Sequence, residues 1–250
     1  MPNHIGQLRA LGFQVEFVSH AEAILSVDFP EASEELFECI SQIEIPIAEI
    51  IGGGGGETKG TQRLRRALDA LGWKKLNFII EKTINGVAKE SISHEIDHVK
   101  PFQRGVVALE IEWNNKDPFF DRDLENFKRL HSEGAISTGI LVTRGTSLQN
   151  SLPELVRRFV TSNNIQQFSD LTEFGYSPTQ RQQDAITGFV ERSTNPMSFA
   201  DAFVRQFVSD KFGAATTHWN KLEDRVRRGV GNPCPLVLIG LPDTVVSFEE

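Results

Sequence analysis

Three acidic side chains in the middle of the chain have a spacing that predicts one shared pocket. Asp97 is followed, after twelve residues, by Glu110 and Glu112 in the strand-like run VVALEIEW. Alternate residues of an extended chain share a face, so both glutamates project from one side of the strand. Three carboxylates held close together are costly without a cation, and carboxylate oxygens are ligands that Mg²⁺ prefers. The pattern therefore predicts divalent-metal chemistry of the kind that hydrolyses phosphodiesters.

Two other interpretations apply to the same region. Glu110 and Glu112 could simply face solvent on a half-exposed strand. Residues 94–98, HEIDH, also satisfy the H-E-x-x-H pattern of zinc peptidases, which works only on a helix. The β-branched and polar context, with Pro101 close by, favours a strand. On a strand His94 and His98 would lie about 13 Å apart, too far to share one metal.

The elements around these acids alternate between helices and strands. Thr61 is expected to cap a helix that ends at Gly72. Three strands follow, with Asn85-Gly86 as a hairpin turn and a break at Pro101 and Gly105 before the third. The expected strands are KLNFIIEK, VAKESISHEID and VVALEIEW. A helix opened by Asp121 or Asp123 and a buried strand, AISTGILVT, come next. This order predicts an α/β fold with a central mixed sheet flanked by helices.

The flanking segments complete one expected domain, residues 1–250. Residues 1–50 form an acidic N-terminal segment with strand-like pieces FQVEFVS and AILSVDF and a helix from Ser33 to Ile43. Residues 57–145 form the catalytic core, and residues 146–250 are mainly helical. Helices are expected at 152–162, 179–191, 198–210 and 217–228, followed by the strand PLVLIGL. Phe199, Phe203 and Phe207 recur at core spacing rather than as a base-stacking surface.

Charge is unevenly distributed along the chain. The net charge is −8, and residues 1–50 account for all of it, with one basic and nine acidic side chains. Residues 59–104 hold ten Lys/Arg and five Asp/Glu. A basic face beside an acidic segment permits a DNA partner without establishing one. The N-terminus lacks a secretory pattern, no apolar run is long enough to span a membrane, and the two cysteines match no disulfide or metal spacing. These features indicate a reducing cytoplasm.

The block from Ser93 to Arg144 resembles restriction endonucleases of the BglII and BstYI type, and more loosely those of the BamHI type. These are branches of the PD-(D/E)xK nuclease superfamily. The resemblance continues in GETKGTQRLRRAL and in FGAATTHWNKLEDRVRRGVGNPCPL. It implies a restriction-endonuclease-like core and hydrolysis of double-stranded DNA with Mg²⁺ at a short palindromic site. It also implies a homodimer in a prokaryotic cytoplasm, with a cognate DNA methyltransferase acting on the same site.

The resemblance also assigns roles to individual residues. Asp97 and Glu110 match the two metal ligands. Glu112 stands where most of the superfamily has lysine, so it would act as general base or as the ligand of a second metal. Glu57 matches the position of an accessory acid, although a surface or helix-capping role explains it as well.

DNA contacts are expected in the segment that follows the catalytic strand. The candidates by resemblance are Asn114, Asn115, Lys116, Arg122 and Arg144. A polar loop with a helix cap explains the first four equally well. Thr216, Thr217 and His218 are weaker candidates. The run Arg225, Arg227 and Arg228 with Gly229 suits either phosphate contacts or the end of a capped helix. A DNA-binding protein of this fold that does not cut is the main alternative function.

Overall fold

A six-stranded mixed sheet lies at the centre of the computed structural model, which describes residues 4–52 and 58–248. Its strands are β1 (Gln14–Val18), β3 (Lys74–Ile84), β4 (Val87–Phe102), β5 (Gly105–Glu112), β6 (Thr138–Arg144) and β7 (Leu236–Leu241). Their spatial order is β1-β7-β6-β5-β4-β3. The pairs β5–β6 and β6–β7 are parallel, and the other pairs are antiparallel. This arrangement confirms the mixed sheet expected from the sequence.

The two central parallel strands explain the apolar runs of the sequence. Every residue of β6 and β7 is buried, as expected for strands covered on both faces. The neighbouring β5 alternates: Val107 and Leu109 pack on one face of the sheet, whereas Glu110 and Glu112 project from the other. A two-stranded parallel pair, β2 (Ile45–Pro46) with β8 (Val246–Ser247), lies outside this sheet.

Helices cover both faces of the sheet. The helices are α1 (His4–Gln7), α2 (Ala21–Val27), α3 (Pro30–Ser41), α4 (Ile47–Gly52), α5 (Lys59–Ala70), α6 (Phe119–Ser132), α7 (Thr146–Ser162), α8 (Gln180–Glu191), α9 (Phe199–Phe212) and α10 (Trp219–Arg227). Short 3₁₀ helices span Leu8–Leu11, Phe168–Phe174 and Asp243–Val245. Helices α6 and α10 pack on the face that carries the two glutamates, and α3, α5, α7 and α9 pack on the opposite face.

Four local predictions are wrong. AILSVDF forms α2 rather than a strand, because Ala21 and Leu25 share one buried helical face. Thr58, not Thr61, caps α5: its side-chain oxygen accepts the backbone N–H of Thr61. Pro101 does not end β4, which continues to Phe102.

The fourth correction concerns α6. The helix begins at Phe119, before either aspartate that was expected to open it. Asp123 therefore lies inside the helix, on its buried side. Gly139 of β6 lets α6 approach the sheet, since a Cβ there would come within 2.5 Å of the Phe127 ring. The helix face that carries Asp123 is thereby held close to β5.

The sheet draws strands from all three segments of the chain. The acidic N-terminal segment supplies β1, residues 57–145 supply β3 to β6, and the mainly helical part supplies β7 between β1 and β6. Strand β7, from the C-terminal part of the sequence, therefore lies beside β6, the strand that follows Glu110 and Glu112 in the chain.

Candidate active site

The predicted site lies where β4 and β5 separate. Their pairing ends at His98 and Leu109, so the strands diverge at Asp97 and Glu110. On its other side β4 pairs irregularly with β3. Lys74 pairs with Val99 and Leu76 pairs with Ile96, so an advance of two residues along β3 matches three residues along β4. Such a bulge reorients side chains and is frequent beside active sites. The backbone N–H of Asp97 donates a hydrogen bond to Glu110 Oε1 over 3.3 Å.

The structure brings the three predicted acids into one pocket of about 430 Å³. Glu110 and Glu112 are each only 3% exposed, which rules out the solvent-facing interpretation. Asp97 is partly exposed at the mouth. The pocket is also lined by His94, Asn115, Phe119, Arg122 and Asn126.

Asp123 of α6 is a fourth acid of this cluster and was not predicted as a site residue. It is fully buried and shares a hydrogen bond with Glu112. The sequence does carry a signal for it. Asp123 falls on the apolar stripe of α6, between Phe120 and Phe127, where a charged residue needs a partner.

The four carboxylates repel one another in a buried setting. Burial raises the pKa of Glu110 well above its ordinary value, and the neighbouring Asp123 and Asp97 raise it further. Burial together with Asp123 raises the pKa of Glu112 to about 8. Burial also raises the pKa of Asp123, against the opposing guanidinium of Arg122. Glu112 therefore holds a proton near neutral pH and donates it in the hydrogen bond to Asp123.

Two cationic side chains offset part of this charge. Arg122 is bound to Asp123 Oδ1 at 2.8 Å and lies 3.5 Å from Glu112 Oε1, while its guanidinium stacks 4.5 Å from the Phe119 ring centroid. Lys75 of β3 reaches Asp97 at 3.6 Å and Glu95 at 2.6 Å. The pKa values of both buried glutamates remain raised in the presence of these two cations, chiefly because of burial.

The donor set of the pocket suits a hard divalent cation. It offers the carboxylate oxygens of Asp97, Glu110 and Glu112, and carboxylate oxygens are the ligands that Mg²⁺ prefers. Within residues 4–52 and 58–248, no three His, Cys, Asp or Glu side chains stand in positions that would enclose a metal ion. The residues fit such an ion by chemistry, and the side chains would have to turn towards it.

The 113–117 loop, which follows β5, holds most of the predicted DNA contacts. Asn115 donates from Nδ2 to Glu112 Oε2 over 2.7 Å, so it contacts the acid cluster directly. Asn114 is partly buried, with an unpartnered Oδ1 within the described structure. Lys116 is exposed. Arg122 is half exposed but engaged by the acids. Of these four side chains, Lys116 is open to solvent, whereas the other three are partly buried or already bound within the protein.

The structure places Arg144, the fifth predicted DNA contact, away from the surface, because its side chain is fully buried. Its guanidinium donates to the carbonyl oxygens of Trp113 at 2.9 Å and Thr217 at 2.6 Å, and to the side chains of Gln149 and Thr216. The ring of Phe212 lies 4.8 Å away. Arg144 thus ties the 113–117 loop to the loop before α10 and has no free face for DNA.

Most of the weaker DNA-contact candidates are also buried or bound to other residues of the protein. Thr217 is buried and exchanges hydrogen bonds with the backbone of Asn115, and His218 is largely buried. Arg225 pairs with Asp117 and Asp121, and Gly229 closes the helix with a positive φ. This favours the helix-end interpretation of the basic run.

His94 and His98 stand on β4, so the zinc-peptidase interpretation is excluded. His94 contacts Asn126 over 2.7 Å and lines the acid pocket. His98 lines a separate pocket between α5 and the sheet. Glu57, the predicted accessory acid, lies outside the described residues.

A mixed sheet with buried acids at the point where β4 leaves β5 defines a restriction-endonuclease-like fold. The chain matches the family model described as "Restriction endonuclease BglII/BglIII" over residues 13–241, and it belongs to this family. It is therefore a type II site-specific deoxyribonuclease that acts on double-stranded DNA. A comparison with individually curated proteins found no match. No helix in the described ranges has the length and apolar character needed to cross a membrane.

Proposed function

We propose that this enzyme cuts both strands of duplex DNA at a short palindromic site, with Mg²⁺ as cofactor and the acid pocket as cutting site. The observation that carries the proposal is the convergence of Asp97, Glu110 and Glu112 in one pocket, where burial raises the pKa values of both glutamates. Buried carboxylates destabilise a protein unless a ligand compensates them. A bound cation would supply that compensation.

Asp97 and Glu110 are the residues that would hold the ion. They project into the pocket from two strands that diverge, and the N–H of Asp97 fixes the orientation of the Glu110 carboxylate. The ion supplies an activated water and neutralises charge that develops on the phosphate. Glu110 pairs with Leu141 of β6, whereas Asp97 lies in the irregular stretch of β4 between Ile96 and His98.

Glu112 would take the proton from the attacking water or serve as a ligand of a second ion. Either role requires the carboxylate form, and the pKa of about 8 shows that Glu112 holds its proton in the metal-free pocket. Added positive charge would lower that pKa. Asp123 and Asn115 orient the carboxyl group by hydrogen bonds from two sides. Asp123 is thus a positioning residue.

The 113–117 loop and Arg122 would meet the DNA beside the cut. Amide side chains such as Asn114 and Asn115 suit adenine edges, and Lys116 suits phosphate or guanine. A palindromic site would be read by a two-fold symmetric homodimer, one protomer for each half-site. In a prokaryotic cytoplasm a cognate methyltransferase would protect the same site in the host DNA.

The decisive experiment treats a sequence-diverse plasmid with purified protein and Mg²⁺ over a broad range of salt, then maps the ends by sequencing. Wild type should give fixed cuts in both strands within a palindrome, and EDTA should abolish them. Glu110→Ala should slow cleavage about a thousandfold, because a metal-bound carboxylate contributes several kcal/mol to the transition state.

The matched control is Glu154→Ala, which removes an exposed glutamate on α7 at the opposite face of the sheet. It should cut like wild type. An intact plasmid under all conditions would refute the proposed reaction. Equal rates for Glu110→Ala and wild type would show that the acid pocket is not the cutting site.

A further inference from the structure

A second pocket lies on the other side of Asp97. It has a volume of about 450 Å³ and runs between α5 and the strands β3 and β4. One wall is a helical stripe of α5 that includes Arg65, Arg66 and Asp69, and Trp73 lies at its base. Lys75, Asp97 and His98 form the opposite wall. We name it the α5 groove. Because Asp97 lines both pockets, the groove continues directly from the predicted cutting site.

The charge of the α5 groove favours an anion. Arg65, Arg66 and Lys75 face two carboxylates, and one of these, Asp69, is already bound by Lys74 at 2.7 Å. Arg66 is exposed and has no ion-pair or hydrogen-bond partner among the residues that the structure describes. Two neighbouring arginines that line a groove, Arg65 half-buried and Arg66 exposed, are suited to phosphate oxygens, which arginine binds in a bidentate manner.

The floor of the groove holds an unsatisfied polar atom. His98 is 3% exposed, yet its Nδ1 atom has no partner in the part of the chain that is described. Buried polar atoms without partners are rare in native proteins and usually mark a bound water or ligand.

We propose that the α5 groove binds a phosphodiester of the substrate DNA that neighbours the one being cut, with Arg65 and Arg66 as its principal contacts. The inference rests on the proposed function, because it assumes that the DNA strand being cut runs past Asp97 from the acid pocket into the α5 groove. Contacts to neighbouring phosphates fix the register of a duplex without reading its sequence. The groove would therefore position the scissile phosphate over the acid pocket.

The test measures duplex binding in EDTA, so that no cleavage occurs, over a series of salt concentrations. Each phosphate contact that is lost reduces the slope of log affinity against log salt by about 0.9. Arg65→Ala/Arg66→Ala should lower the slope by about 1 or more and weaken binding several-fold, whereas Arg65→Lys/Arg66→Lys should keep the slope. Arg66→Ala alone, at an exposed position, should show part of the effect in a protein that folds normally.

The matched control is Arg104→Ala, an exposed arginine paired with Asp28 at the other end of β4 and β5. Its slope should equal that of wild type. A neutral methylphosphonate placed next to the mapped cut should weaken wild type but not Arg65→Ala/Arg66→Ala. Inorganic phosphate at matched ionic strength should not compete, because a free ion lacks the duplex contacts.

Three outcomes would overturn the inference. These are a slope unchanged in the double alanine variant, an equal loss in Arg104→Ala, and competition by inorganic phosphate as strong as by duplex. The cleavage assay separates this inference from the proposed function. If Glu110→Ala cuts normally while the slope falls as expected, the reaction assignment fails and the groove stands. If cleavage behaves as proposed and the slopes are equal, only the groove is wrong.

Discussion

Two buried polar clusters stand side by side at the ends of β5 and β6, and they differ in how completely their groups are paired. Glu112 of β5 pairs with Thr143 of β6, and Arg144 follows Thr143 in the chain. Arg144 therefore lies one residue beyond the acid pocket along β6. Every nitrogen of the Arg144 guanidinium has a hydrogen-bond acceptor. The acid pocket instead holds four carboxylates beside two cations, and the pKa values of Glu110, Glu112 and Asp123 are raised.

The difference separates structure from function. A buried ion with complete hydrogen bonding stabilises its surroundings, and its removal leaves stranded partners. A buried cluster with unbalanced charge costs stability, and it persists where a ligand completes it. By this criterion Arg144 holds the 113–117 loop in place, and the neighbouring acids are arranged for a ligand.

The largest expected effect concerns the Arg144 cluster. Arg144→Met removes four hydrogen bonds and strands the buried carbonyl oxygens of Trp113 and Thr217. Each stranded group costs about 1–3 kcal/mol, so the free energy of unfolding should fall by about 3 kcal/mol. Urea denaturation followed by circular dichroism measures this change. Arg228→Met, which removes an exposed arginine paired with Asp224, is the control and should cost less than about 1 kcal/mol.

A direct role of Arg144 in DNA binding would give another pattern. The methionine variant would then keep the stability of wild type and lose salt-dependent affinity for duplex. That result would mean that the Arg144 side chain leaves its buried partners to bind DNA. The two clusters would then no longer differ in the way described.

Much of the sheet could be predicted because its signals are local. The alternation in β5, the Asn85-Gly86 turn and the apolar runs of β6 and β7 depend on periodicity and turn chemistry. The acids Glu110 and Glu112 followed from the same alternation. Helix α2 was missed because its short apolar run fits a strand as well as a helix.

Two features of the site, the burial of Arg144 and the presence of Asp123 among the acids, depend on contacts between distant parts of the chain. Arg144 is buried by the loop at residues 213–218, about seventy residues further on, and no pattern around β6 reveals that packing. Asp123 joins the acids only because α6 packs against β5 and β6. An arginine at a strand end and an aspartate in a helix have no distinctive sequence pattern until tertiary structure is known.

The next prediction tests Asp123 as a positioning residue. Asp123→Asn keeps the shape and removes a carboxylate that raises the pKa of Glu112 by charge and by hydrogen bonding. Cleavage should slow about 10- to 100-fold, as for groups that orient metal-site ligands. The rise of rate with pH should shift to lower pH, because Glu112 would lose its proton more easily. Rates of single-turnover cleavage between pH 5.5 and 9 measure both effects.

Asp121→Asn is the control on the same helix, since Asp121 is half exposed and pairs with Arg225. It should keep the rate and the pH profile of wild type. A profile for Asp123→Asn that merely scales down, without moving along the pH axis, would show that Asp123 does not act through Glu112.

The last prediction concerns how stability changes per pH unit in the absence of metal. The pKa of Glu112 rises from 4.5 in the unfolded chain to about 8 in the fold, so the folded state binds more protons between these values. The stabilising contribution is complete below pH 4.5 and is lost as the pH rises through 8, by about 1.4 kcal/mol per pH unit for one proton. Glu112→Gln should therefore show a flatter decline of the urea midpoint from pH 5 to 8.5 in EDTA. Glu154→Gln, on the exposed face of α7, should follow wild type. A wild-type midpoint that rises over this range would mean that the acid pocket is already compensated, and the contrast with the Arg144 cluster would disappear.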